Sequence, residues 1–406
     1  MPLASPRRGS ELREADANFD PSREDLLRFG ITRVGDLTGL DTIGIPVWFA
    51  CRPNSRSLSV SQGKGLDDAQ ARTSAIMEAI EGAVAERPRD IVSRFCSYEE
   101  MQALGRGVVP LARIARCEFA LFDPKRERGW AQGRSYVTGE AVHAPYELVG
   151  LDMRADFPWD RRAFRMSSAG IAAGTSFEFA ALRAVLELIE HEATSAFDLV
   201  GPIPNVAQRA RVESACSPPL ASAISKVRSA GLEPEFYSLR GPIKVPVIAC
   251  VIDWAVETSD GPSNVRCAGY GCRLDADEAA LAALLEAVQS RLTDIAGARD
   301  DLEPERFETG APFAPKSRRN PVSLAEVSSK ASAPAPLAAS DQEKLKRVAA
   351  RVLESGADDI FLFPLPTRCD GIHVVRALAP QLGDDAAAAG RLDARALAAL
   401  LDGQPS

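Results

Sequence analysis

Three stretches of this chain read as helices so rich in alanine, leucine and isoleucine that they can only be buried, yet each carries a pair of acidic or amide side chains three residues apart. In the helix expected from about Asp67 to Ala85, Glu78 and Glu81 follow Ser74. In the one from Ser176 to about Ala196, Glu187 and Glu190 stand among Leu186, Leu188 and Ile189, and in the one capped by Asp275, Glu286 and Gln289 precede Arg291. Offsets of three and four residues meet on one helix face, so each pair points one way. A carboxylate buried among leucines is costly unless it is paired, hydrogen-bonded or bound to a cation. These helices supply few lysines or arginines for five such groups. Oxygen ligands from Glu and Gln suit a hard cation such as Mg2+, which bridges protein carboxylates to phosphate oxygens. A single pair of this kind is ordinarily a solvated face; three of them in apolar surroundings favour a metal-nucleotide site.

Helical and strand-like text alternate along the chain, so the fold class is mixed α/β (α+β). Residues 1–30 form a polar lead with a short helix, and 31–302 a core that opens on the strand-like runs GIPVWFAC and SLSV. The segment VHAPYELVGLDM reads as one strand. Residues 303–340 are rich in Pro, Ala and Ser, with the basic knot Lys316 to Arg319, and read as a loop. Residues 341–406 return to core-like text with a helix, the strand pair DDIFLFPL and IHVVRAL, and an alanine-rich end.

The remaining composition narrows the function. With 406 residues and a formal charge of -8 the chain is no polyanion binder, which excludes broad nucleic-acid or anionic-membrane binding. Eight scattered cysteines lack the C-x-x-C spacing of a zinc or redox site. Three histidines offer little to a histidine cluster or triad: His143 and His373 sit in strand-like text and read as structural, His191 as a helix-surface group. The polar start MPLASPRRGSELREADANFD has no apolar signal core and no run is long enough to span a membrane, so a cytoplasmic protein is expected.

Two small-residue loops stand before two of the acidic helices: Ser61 to Gly65, SQGKG, and Gly170 to Ser176, GIAAGTS. Glycines beside a lysine let backbone N–H groups and an ammonium approach phosphate, although the spacing is not that of a Walker loop. Taken in order, S-x-G-K-G, S-x-x-x-E-x-x-E, S-x-G-x-x-x-G leading into E-x-x-E, and E-x-x-Q-x-R resemble the YcaO family over about Gly30 to Asp301. The text around GITRVGDLTGLDTIGIPVWFACRPNSRSLSVSQGKG and QSRLTDIAGARDDL is similar to the branch that works with a TfuA partner.

The resemblance implies a YcaO-like fold with a helix-lined ATP and Mg2+ site, and ATP-dependent modification of a peptide backbone amide. In that family a nucleophile adds to the amide carbonyl, the oxyanion takes a phosphoryl group from ATP, and phosphate leaves; a side-chain nucleophile yields an azoline and external sulfide a thioamide. Carried over by position, Glu78, Glu81, Glu187, Glu190 and Glu286 would hold metal, with Glu187, Glu190 and Gln289 acting in catalysis. Lys64, Ser74, Ser168 and Arg291 would contact the nucleotide, and Arg8 and Ser10 stand in for unmatched N-terminal contacts. Gly82 and His191 replace arginines common after each E-x-x-E, and Ala169 replaces an asparagine. The chain ends ALLDGQPS without a P-x-P-x-P tail. With the TfuA-type text, this favours thioamide formation on a precursor peptide with a TfuA-like protein, a homodimer being open. An azoline-forming cyclodehydratase, a non-catalytic nucleotide- or leader-peptide-binding scaffold, and an accessory factor for ribosomal-protein methylthiolation are the alternatives.

Overall fold

The computed structural model describes residues 21–154, 159–200, 206–254, 267–297, 320–331 and 339–383. Strands β1 (Arg33–Asp36), β2 (Val47–Cys51) and β3 (Val60–Lys64) form an antiparallel three-stranded sheet. A second sheet has the order β4 (Val92–Cys96), β5 (Arg128–Ser135), β13 (Phe361–Leu365), β14 (His373–Leu378), β7 (Ile171–Gly174), with β6 (Ala141–Pro145) also on β5. The third runs β11 (Cys267–Cys272), β10 (Val247–Trp254), β9 (Leu232–Leu239), β8 (Ala207–Arg211), β12 (Val322–Ser323). The long helices are α1 (Asp68–Ala85), α2 (Phe177–Val200), α3 (Pro218–Ser229), α4 (Ala276–Ala296) and α5 (Asp341–Glu354).

The acidic helices begin where their capping residues direct. The Asp67 carboxylate accepts from Gln70 N at 2.9 Å, Ser176 Oγ from Phe179 N at 3.2 Å, and Asp275 from Asp277 N and Glu278 N. Gly297, at φ +58°, closes α4. Each follows a strand after a short turn, giving three strand-helix units: β3 to α1, β7 to α2, β11 to α4.

These units and their sheets alternate around a common centre. Strand side chains point to opposite faces in turn, and here both faces are buried. On β2, Ala50 joins the core of α1 while Val47 joins that of α4. On β14, Val374 and Leu378 pack with α1, and Val375 and Ala377 with α2. On β10, Val247, Ala249 and Val251 pack with α2, and Ile248, Cys250 and Ile252 with α4. Every acidic helix therefore lies between two sheets and every sheet between two acidic helices, which explains why their sequences are apolar almost all round.

The strands meet their own helices at glycine. A Cβ on Gly63 would lie 2.0 Å from Ala75 N, and one on Gly269 2.1 Å from Ala287 N. Backbone rides on backbone at both places, and no other residue fits.

Two expectations are corrected. The strand at VHAPYELVGLDM stops at Pro145, and Tyr146–Val149 turn into a single helical turn that buries Glu147, whose Oε1 accepts from Asp160 N at 3.0 Å. Within the stretch read as a loop, residues 320–331 form β12 and a helix, Leu324–Ala331. Val322, Leu324 and Val327 are apolar enough to join the α4 core despite the Pro- and Ser-rich surroundings. Arg8, Ser10, the knot at Lys316 to Arg319 and the alanine-rich end lie outside the described residues. Among the described residues no helix is long and apolar enough to cross a membrane.

Candidate functional site

Glu78 and Glu81, Glu187 and Glu190, and Glu286 and Gln289 are the eleventh and fourteenth residues of α1, α2 and α4 respectively. Equal positions in three like units bring the pairs to one place. Each helix turns its pair toward the strand of the next unit. Glu81 Oε1 accepts from Ala173 N of β7 at 2.7 Å. Lys64 Nζ of β3 lies 2.8 Å from Glu286 Oε2, whose other oxygen accepts weakly from Tyr270 N at 3.4 Å. Further along α4, Thr293 is hydrogen-bonded to Gln62 of β3.

The charges feel one another across the helices. Burial, and then the neighbouring charge of Glu78, push the Glu81 carboxyl up to about 8, against the opposing pull of the Ala173 N–H. Glu187 is raised by burial first and by Glu81 and Glu190 next, Glu190 by burial and then Glu286. These carboxylates thus resist ionising together, and a multivalent cation would relieve both the burial and the repulsion.

The donor set fits such an ion. Gln289 is 9% exposed, and its Oε1 is buried with no hydrogen-bond partner among the described residues. An amide oxygen left unsatisfied in this way costs stability and is a ready ligand for a hard cation. Among the described residues no three His, Cys, Asp or Glu side chains close around one point. Glu78, Glu81, Glu187, Glu190 and Glu286, with Gln289, are the residues that would hold such an ion, whose charge would offset theirs.

The other expected residues fall as follows. Ser74, half-buried, is one turn before Glu78 on α1. Ser168 is exposed at the start of the turn into β7, where its carbonyl accepts from Ile171 N at 2.9 Å. Within that turn Gly170 has φ +82°, and a Cβ there would lie 2.7 Å from Leu188 Cδ2, so the glycine of S-x-G is required. Arg291 is fixed by Asp41, with Nε and Nη2 at 2.8 and 3.3 Å from its two oxygens. His191 Nε2 is 3.8 Å from Glu187 Oε1. At Gly82, a Cβ would lie 2.6 Å from Arg52 Nη1, so a guanidinium from β2's end fills the space beside that helix position.

Three basic residues beside the carboxylates escaped the sequence reading. Arg183 stands one turn before Glu187 on α2, and its charge acts on Glu81, Glu187 and Glu190. The line R-x-x-x-E-x-x-E was its signal. Arg273, at the end of β11, is pushed down to about 10 by burial and then by Arg183, and it favours the ionised form of Glu190. Arg376, fully buried on β14, donates to the carbonyls of Val149, Ser167 and Ala169 and so fixes the loop before β7. A lone charge inside VVRAL marked it.

Residues 62–383 match the YcaO cyclodehydratase family, described as ATP- and Mg2+-binding. The chain is 35% identical over 389 residues, 90% of this chain and 87% of the other, to a Rhizobium leguminosarum bv. trifolii protein described as uncharacterized and lying in a tfuA 3' region. It is 29% identical over 380 residues, 88% and 91% of the two chains, to an uncharacterized protein of Methanothermobacter thermautotrophicus. Its fold is similar to YcaO from Methanopyrus kandleri bound with AMPPCP and Mg2+, at TM-score 0.65 and 23% identity, covering 87% of this chain and 86% of that one. It is also similar to a heterocyclase in complex with substrate and cofactor, at TM-score 0.65 and 16% identity, covering 88% and 51%.

Proposed function

The chain belongs to the YcaO family, and we propose that it is an ATP-dependent enzyme that phosphorylates the oxygen of a peptide backbone amide, most directly for thioamide formation with a TfuA-like partner in the cytoplasm. The observation that carries the ATP and metal part is the convergence of three carboxylate or amide pairs from equal positions of α1, α2 and α4. The thioamide part is supported by the relative in a tfuA 3' region, similar over nine-tenths of this chain.

When bound, ATP with Mg2+ supplies the phosphoryl group and neutralises the charge that develops during its transfer. Glu78, Glu81, Glu187, Glu190 and Glu286 would hold the ions, and Gln289 Oε1 would either ligate one or orient a water. Lys64, Ser74, Arg183 and Arg273 would line the phosphates, with Ser168 at the loop that Arg376 fixes. Arg291, held by Asp41, would present its guanidinium in a set direction. The helices bring this array together at partly buried positions, where each of these charges acts more strongly than in bulk water.

The balance of the reaction is simple. Sulfide adds to the amide carbon, the former carbonyl oxygen leaves as part of inorganic phosphate, and ATP ends as ADP. The shared fold with a heterocyclase keeps azoline formation as the second reading. Coexpression of the chain with a TfuA-like protein and a precursor peptide, followed by mass spectrometry, tests both. A gain corresponding to sulfur replacing oxygen supports the proposal; loss of one water supports the azoline; an unchanged peptide with no peptide-stimulated phosphate release refutes both.

A further inference from the structure

Strand β3 is attached to α4 at two levels. Gly63 and Gly65 turn toward α1, so alternation sends Gln62 and Lys64 the other way, toward α4. On α4, Glu286, Gln289 and Thr293 follow one another at offsets of three and four, along one face. At one end of this row Lys64 Nζ meets Glu286 Oε2 at 2.8 Å, and at the other Thr293 Oγ donates to Gln62 Oε1. The same hydroxyl lies 2.8 Å from the main-chain carbonyl oxygen of Gln289, one turn back along the helix. Its single proton thus serves two acceptors, one on each element, and ties β3 to the turn of α4 that carries Gln289. Gln289 therefore stands between the two attachments.

Packing alone does not call for amides here. Gln62, Thr293 and Gln289 are only 1%, 8% and 9% exposed. Gln62 Nε2 and Gln289 Oε1, one a donor and the other an acceptor, are both buried without a hydrogen-bond partner among the described residues. Each such atom lowers stability, and apolar side chains of similar shape would fill the same interface without that loss. We propose that Thr293 and Gln62 are positioning residues for Gln289. Their link fixes the level and rotation of one turn of α4, and so holds the Gln289 side-chain oxygen in one direction beside Glu286. Neither residue touches ion or nucleotide; both act through Gln289. The inference rests on the ATP and metal reading above and adds to it two residues which that reading leaves unused. Outer partners that orient a metal ligand in this way are worth about ten- to a hundredfold in metal affinity.

Mn2+ binding in the presence of a non-hydrolysable ATP analogue tests this, with free ion counted by electron paramagnetic resonance. Thr293→Val keeps the shape and loses the hydroxyl, and should weaken Mn2+ binding about tenfold. Thr293→Ser keeps the hydroxyl and should bind like the unaltered protein. Gln289→Ala should also weaken binding about tenfold, and adding Thr293→Val to it should change nothing more, because the residue through which Thr293 acts is already gone. An unchanged Mn2+ affinity for Thr293→Val would overturn the inference, as would losses that multiply to about a hundredfold in the double variant, the mark of a merely structural contact. Either result leaves the ATP and metal reading in place. Failure of the unaltered protein to take up Mn2+ with the analogue would overturn that reading and the inference with it. Circular dichroism checks the fold, and Gln62→Met repeats the cycle with Gln289→Ala should the valine variant misfold.

Discussion

Replacing Glu81 by Gln should stabilise the metal-free protein at high pH, although it removes a residue of the site. Glu81 is pushed up from 4.5 to about 8, chiefly by burial. The folded chain therefore keeps a proton that the unfolded chain releases between about pH 4.5 and 8. Stability contributed by the protonated form is lost as pH rises through that window. At about 1.4 kcal/mol per pH unit the ceiling is about 5 kcal/mol. Glu81 is partly exposed rather than set in dry core, so screening by solvent cuts this to roughly half. Gln keeps an oxygen to accept from Ala173 N, now 2.7 Å from Glu81 Oε1, but as a weaker neutral bond costing about 1 kcal/mol. The net gain at pH 9 is then about 1–2 kcal/mol, a rise of roughly 2 °C in melting temperature for a chain of this size. At pH 4 the gain should vanish, because Glu81 is then neutral in the folded and unfolded chains alike. Thermal melts in EDTA across this pH range read the difference directly, and repeating them with Mg2+ and an ATP analogue should reverse its sign. A Glu81→Gln protein that melts below the unaltered one at pH 9 in EDTA would refute the reasoning, since the carboxylate would then be stabilising where it stands.

Other substitutions test the architecture and the chemistry. Glu187→Gln should lower peptide-stimulated phosphate release by about a hundredfold or more with the circular dichroism spectrum unchanged, and a fully active variant would sink the metal assignment. Gly63→Ala would place a Cβ 2.0 Å from Ala75 N and 2.5 Å from Ala71 O. It should cost about 3 kcal/mol in denaturant unfolding, whereas the same change at the open Gly39 should have little effect.

The long helices were legible because what makes them is local. Asp67 and Asp275 are caps, the apolar runs behind them have helical length, and three-residue spacing puts Glu78 with Glu81 on one face whatever surrounds the helix. The order of motifs was equally local, so the family resemblance could be read from text alone. Local spacing also misled. Pro145 ended a strand that hydropathy continued, and Val322, Leu324 and Val327 found a core that a Pro- and Ser-rich composition hid.

Tertiary structure alone decided what the acidic faces look at. Arg291, two residues beyond Gln289, reads from sequence as free for phosphate. It is held by Asp41, a partner 250 residues away that no spacing rule could supply. Arg376, Arg273 and Lys64 reach the site from strands whose neighbours are set by sheet order, not by chain order. A sequence therefore determined how many carboxylates this protein would have to bury and on which helix faces. Only the ring of sheets and helices determined which cations stand beside each one, because charge interaction depends on distance through space rather than along the chain.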